Sequence, residues 1–74
     1  MNPPPPATLQ IQINGGTRTV SAGQSLVELI ASLGLPPQAA LVEHNERALL
    51  RDEWPQVQLA DGDRLEVLRV VAGG

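Results

Sequence analysis

The chain contains no cysteine, so disulfides, thiolate metal sites and a catalytic thiol are all excluded. It has no lysine either; all five basic residues are arginine. A compositional bias of the source explains that better than chemistry does, but it leaves no lysine amine that could attack an activated carboxylate of its own kind. Phenylalanine and tyrosine are missing, and Trp54 is the single aromatic residue. Nothing reads as a secretory signal, and no apolar run approaches membrane-spanning length, so a cytoplasmic protein with no membrane contact is the expectation. A net charge of −3 lacks the basic stripe that nucleic acid would require. At 74 residues the chain is long enough for one domain with a small core.

What is present is ordered simply. Residues 1–7, Met1-Asn2-Pro3-Pro4-Pro5-Pro6-Ala7, cannot enter a ladder or a helix, because consecutive prolines fix φ and lack donors. They are expected to form a disordered, solvated leader, with no flanking cation to make them a proline-recognition motif. Thr8 to Asn14 then alternates strictly, with Leu9, Ile11 and Ile13 on one face of a half-buried strand. Asn14-Gly15-Gly16-Thr17 follows, and its glycines suit the positive φ of a two-residue hairpin turn. That turn sets Ile13 opposite Arg18 and Ile11 opposite Val20, which buries Val20 and leaves Arg18 at the rim.

Ser25-Leu26-Val27-Glu28 reads as a capping box. Leu26, Leu29, Ile30 and Leu33 fall on one helical stripe, Gly34 suits the left-handed position past the helix end, and Pro36-Pro37 forbids continuation. Ala39 to His44 reads as a third strand that turns near Asn45-Glu46 toward the short apolar segment Ala48-Leu49-Leu50. Arg51 to Pro55 reads as a helical turn ended by its proline. Trp54 there either plugs one end of the core or stacks on a partner. His44, the single histidine, has no second nitrogen or sulfur ligand to make a metal site and belongs at a strand rim.

Asp61-Gly62 is a turn into the final strand, Arg64 to Val71. Alternation assigns Leu65 and Val67 to the core and Glu66, Leu68 and Val70 to the opposite face. Leu68 and Val70 are thus either covered by the chain's own loops or exposed as a contact site. Arg69 is either a further contact or a solvated charge at the strand edge.

The strand leads into Val71-Ala72-Gly73-Gly74. A Gly-Gly terminus is what a protein needs if its own carboxylate reacts, because glycine clears the approach to a narrow cleft. Four residues reach about 13 Å at ~3.3 Å each. Residues 8–71 form the folded domain on this reading, and 72–74 a flexible tail.

Strand, strand, helix, strand, short strand and final strand make an α+β domain, a mixed sheet of four to five strands with one main helix on one face. The crossover rule places the strand after the helix parallel to a neighbour. This is the ubiquitin-like β-grasp arrangement. From Leu9 to Gly74 the sequence resembles the ThiS family, the bacterial sulfur carriers of thiamin thiazole synthesis. The resemblance rests on Ala22-Gly23-Gln24-Ser25-Leu26 with Glu28-Leu29, and on Glu43-His44-Asn45 followed by Arg51-Asp52-Glu53-Trp54. Asp61-Gly62-Asp63 and the closing Val71-Ala72-Gly73-Gly74 complete it. The tetraproline leader and Ala48-Leu49-Leu50, where many members place a proline beside the arginine, depart from the family pattern.

The resemblance implies a protein co-substrate and not an enzyme, with no catalytic residue, metal site or bound cofactor of its own. An E1-like activating enzyme would use ATP and magnesium to adenylate Gly74. Sulfur derived from cysteine through a desulfurase would then displace AMP to leave a thiocarboxylate, which thiazole synthase consumes. Gly73 and Ala72 would give the tail clearance, and Leu68, Val70 and Arg69 would contact partners. A molybdopterin-synthase sulfur carrier and a ubiquitin-like modifier share the fold and the activation step, and a passive β-grasp interaction module is the remaining alternative.

Overall fold

The computed structural model describes residues 7–70. The proline run and residues 71–74, including Ala72, Gly73 and Gly74, lie outside the described residues. Ala7, which the sequence groups with the leader, accepts a backbone hydrogen bond from Ala22.

Five strands form one sheet: β1 (Thr8–Ile13), β2 (Gly16–Ser21), β3 (Ala40–His44), β4 (Arg47–Leu49) and β5 (Arg64–Arg69), in the order β2-β1-β5-β3-β4. Among the described residues one α-helix, α1 (Leu26–Ser32), covers one face of the sheet. This is the ubiquitin-like β-grasp fold. The last strand of the sequence occupies the centre of the sheet. It runs parallel to β1 and antiparallel to β3. That corrects one expectation: β3, the strand after the helix, is antiparallel to both its neighbours, β4 and β5. The crossover from the first hairpin leaves room beside β1, and β5 takes it as the parallel strand.

The first hairpin is also shifted from its expected register. Asn14 and Gly15 are the central turn residues, with φ of 50° and 84°, and Gly16 already begins β2. The pairs are therefore Ile13 with Gly16, Ile11 with Arg18 and Leu9 with Val20. Asn-Gly accepts two successive positive φ values better than any other pair here, so it takes the turn ahead of Gly15-Gly16. The slip is by two residues on β1, which preserves the faces, and Val20 is buried as expected.

Helix α1 is specified locally. The Ser25 side chain accepts from Glu28 N at 3.0 Å, and Glu28 accepts from Ser25 N at 3.1 Å. The bond from the Ser25 backbone amide, helped by the Ser25 hydroxyl, holds the exposed Glu28 carboxyl below its ordinary range. Gly34 ends the helix at φ 82°. Leu26, Leu29 and Ile30 are buried against Leu9, Ile11, Val42, Leu65 and Val67, each contributing about 1.5–3 kcal/mol by leaving water.

A 3₁₀ segment, Arg51–Gln56, continues one residue past Pro55, because a proline ring does not block the turn that precedes it. This segment delivers Trp54 into the core at 2% exposure. Trp54 is a plug, and its stacking partner is internal: the Arg51 guanidinium lies 4.6 Å from the ring centroid. Arg51 also donates to the Pro37 carbonyl, tying this segment to the 3₁₀ turn Pro37–Ala39 that precedes β3.

Candidate functional site

Strand β5 separates two environments by alternation. Leu65 and Val67 point into the core, and Glu66 and Leu68 point away from the helix. On the outer face Leu68 sits directly opposite Leu41 of β3, and Glu66 directly opposite Glu43. Leu68 is 62% exposed, Leu41 57% and Val70 45%, so no loop among the described residues covers them. Leu41, Ala48, Leu49 and Leu68, with Glu43 and Glu66, line an open groove of about 450 Å³ across β4, β3 and β5.

The backbone holds this face up to its last described residue. Val70 N donates to Ala39 O at 2.7 Å, one bond beyond the end of β5. Val70, the last described residue, is therefore fixed next to the Leu68–Leu41 pair. Arg69, grouped by the sequence with Leu68 and Val70, alternates to the other side of the strand. It pairs with Ala40 in register and is exposed at the strand's end. The positions proposed to carry the reacting group and its clearance, Gly74, Gly73 and Ala72, lie outside the described residues.

Leu41 went unnoticed in the sequence, although a signal for it exists. Ala40 and Val42 are buried and Leu41 between them is out of phase. The facing of Glu43 and Glu66 had no such signal, because register between strands far apart in sequence is set only by tertiary pairing.

The other end of β5 is held by a polar network. Asp63 Oδ2 lies 2.8 Å from His44 Nε2 and accepts from Ala60 N at 2.8 Å. Its Oδ1 accepts from Asn45 Nδ2 at 3.1 Å, and Asn45 Oδ1 accepts from Arg64 N at 2.9 Å. Burial alone would raise the Asp63 carboxyl, but the bonds from His44, Ala60 and Asn45 outweigh it and hold the group below the ordinary aspartate range. This network fastens the β3–β4 turn to the entry of β5. Among the described residues no group of three His, Cys, Asp or Glu side chains is placed to hold a metal ion, and no helix is long and apolar enough to cross a membrane.

Known proteins place this architecture. The chain is 32% identical over 66 residues to the sulfur carrier protein ThiS of Escherichia coli K12, covering 89% of this chain and 100% of that one. It is also 32% identical over 66 residues to a thiazole synthase of Paramagnetospirillum magneticum, but spans only 20% of that protein's length. Among solved structures, the thiamine biosynthesis protein ThiS of Geobacter metallireducens superposes with a TM-score of 0.74 at 28% identity, over 89% of this chain and 100% of that one. The sequence profile of the ThiS family matches residues 11–74, which include all of β5 and both terminal glycines. With sequence and fold in agreement along nearly the whole length, this chain belongs to the ThiS family.

Proposed function

We propose that this protein is a sulfur carrier for thiazole formation in thiamin biosynthesis, with Gly74 as the residue that carries the sulfur. One observation carries the proposal: the likeness to the Escherichia coli sulfur carrier covers all of that protein, and the family match runs through Gly74. The likeness to part of a thiazole synthase supports thiazole synthase as the enzyme that takes up the sulfur.

The chemistry follows from the terminal group. An α-carboxyl has an ordinary pKa near 3.5, is ionised at neutral pH and is a poor electrophile. An E1-like adenylating enzyme uses ATP and magnesium to convert the Gly74 carboxylate into an acyl adenylate, with pyrophosphate leaving. AMP is then a good leaving group: a persulfide charged by a cysteine desulfurase displaces it to give an acyl disulfide, and a thiol reduces that S–S bond, leaving the thiocarboxylate on Gly74 and a disulfide on the donor side. Gly73 and Ala72 give the backbone a slim approach to the enzyme's cleft. The protein acts as co-substrate in these steps; ATP and magnesium belong to the activating enzyme. Its work takes place in the cytoplasm.

The decisive experiment is the intact mass of the protein after incubation with the adenylating enzyme, ATP, magnesium and a sulfur donor. Replacement of one oxygen by sulfur in the peptide ending at Gly74 is the expected result. An unchanged mass with a wild-type enzyme known to be active would overturn the proposal. Isopeptide-linked adducts in cells would instead identify a modifier, and rescue of molybdopterin synthesis in place of thiazole synthesis would move the carrier to that pathway.

A further inference from the structure

We infer that Asn14 is a site of spontaneous deamidation, held in check by the fold, and that its conversion releases β5 at Val67. The inference is independent of the sulfur-carrier reading. Its first basis is covalent. Asn14-Gly15 is the one Asn-Gly pair of the chain, and glycine leaves the attacking amide without a side chain to shield it. Asn2 precedes Pro3, whose nitrogen bears no proton, and Asn45 precedes Glu46, whose Cβ crowds the approach.

The reaction needs only water. The Gly15 nitrogen gives up its proton and attacks Asn14 Cγ. The Cγ–Nδ2 bond breaks, and the side-chain nitrogen leaves as ammonia with that proton, closing a succinimide ring. Water then opens the ring at Cγ to give aspartate, or at the Asn14 backbone carbonyl carbon to give isoaspartate, whose main chain runs through Cβ and Cγ. Nothing is oxidised or reduced.

The structure sets the rate. Asn14 and Gly15 are exposed, so water and hydroxide reach the turn, and the Gly15 amide donates to no group among the described residues. Opposing this, both polar atoms of the Asn14 side chain are engaged by Val67: Nδ2 donates to Val67 O at 3.1 Å, and Oδ1 accepts from Val67 N at 2.8 Å. The clamp turns the side-chain amide toward β5, and Cγ must leave it to meet the Gly15 nitrogen. The Asp-Gly pair, Asp61-Gly62, is closed twice over. Gly62 N donates to Gln10 O at 2.7 Å, and Asp61 Oδ1 accepts from Gln10 N at 2.7 Å. Modification therefore concentrates at Asn14 whenever its clamp opens.

The products cannot rebuild the clamp. A carboxylate has no N–H to give Val67 O and sets a negative oxygen against that carbonyl. Isoaspartate also adds a methylene to the main chain of a two-residue turn, and the pairing of Ile13 with Gly16 depends on that length. Either product leaves β5 without its side-chain partner from the first hairpin, just past the point where the backbone pairing of β1 with β5 ends.

The test follows the wild-type protein at mildly alkaline pH, folded and in urea, by mass spectrometry of the tryptic peptide ending at Arg18. In urea Asn14 is expected to exchange its amino group for a hydroxyl, as aspartate and isoaspartate, well ahead of Asn2 and Asn45. The folded protein should convert at least about tenfold more slowly, because only the opened clamp reacts. Gly15→Ala should slow the reaction in urea, where the fold plays no part. Folded protein aged until partly converted should unfold in two steps on heating, the modified fraction at the lower temperature. An unfolded chain that keeps Asn14 intact would overturn the site. A folded chain that reacts as fast as the unfolded one would overturn protection by the clamp, and a modified fraction with the wild-type unfolding temperature would overturn the release of β5.

Discussion

At Asn14-Gly15 the first hairpin turns with φ of 50° and 84°, and at Asn45-Glu46 the second turns with 49° and 71°. The backbones are nearly alike, yet the residues differ at the second position. Glycine adopts positive φ without a steric penalty, whereas a residue with a Cβ is strained there by about 1–2 kcal/mol. The second turn is compensated from outside. Asn45 bonds Asp63 and the Arg64 amide, and Glu46 pairs with the Arg64 guanidinium.

The asparagine of the first turn works differently. The parallel pairing of β1 with β5 is short, and its ladder ends with Asn14 N donating to Leu65 O at 2.9 Å. The Asn14 side chain carries it one step further, donating to Val67 O at 3.1 Å and accepting from Val67 N at 2.8 Å. The central strand is thus gripped from both sides by the turn asparagines of two hairpins, at Val67 by one and at its entry by the other. That strand also positions the outer groove and leads to Gly74, so the grip on it bears on function. One turn is self-sufficient and extends a sheet; the other is strained and leans on a polar cluster.

Breaking the first grip should have the largest effect. Asn14→Ala removes both Val67 bonds and places an alanine at positive φ, a loss of about 3 kcal/mol, or more than ~10 °C in melting temperature for a domain this small. Asn14→Gly keeps the turn but not the bonds and should lose about 2 kcal/mol. Urea unfolding of both variants separates the two contributions, and a glycine variant as stable as wild type would mean that the side-chain clamp contributes nothing.

Next in size is Asp63→Asn, with an expected loss of roughly 2 kcal/mol at neutral pH, since bonds accepted by a charged carboxylate become bonds to a neutral amide. The sign of the pH effect is fixed by the lowered folded-state pKa. The stabilisation is complete above the unfolded value, near 3.9, and is lost as pH falls through the lower folded value. Unfolding curves from pH 7 to pH 2 should therefore converge for wild type and Asp63→Asn at the acid end. The Glu28 capping box, also acid-sensitive, is common to both proteins and drops out of the difference. A constant gap at every pH would remove Asp63 as its source.

The smallest effects compare the second positions of the turns. Gly15→Ala should cost about 1 kcal/mol, while Glu46→Gly should change stability by no more than about 0.5 kcal/mol, because relief of strain offsets the lost surface pair and the added chain entropy. Equal losses in the two variants, measured by chemical denaturation, would show that Glu46 is unstrained.

Much of this was legible locally. The capping box at Ser25 and Glu28, the Leu26-Leu29-Ile30 stripe, Gly34 and the alternation of Leu65 and Val67 each state their role within a few residues of chain. The candidate site was half legible. Leu68 and Val70 are visibly out of phase with the core, and the glycine pair is plain in the sequence. Alternation also carries the direction of Leu41 and of Arg69, but that Leu41 and Glu43 face Leu68 and Glu66 depended on how β3 meets β5, which local periodicity does not encode. The hairpin register failed for a narrow reason: two overlapping glycine-bearing turns competed, and the asparagine decided between them.

By itself the sequence determined the elements, the core side of each, the family and the terminal chemistry to be tested, because these depend on short-range pattern and residue type. Only the tertiary structure decided that β5 lies at the centre, parallel to β1, and that Asn14 completes its ladder. It also decided that Leu41 and Glu43 face Leu68 and Glu66. Pairing between segments more than twenty residues apart is chosen by the closure of the whole core, and no window of the chain contains that information.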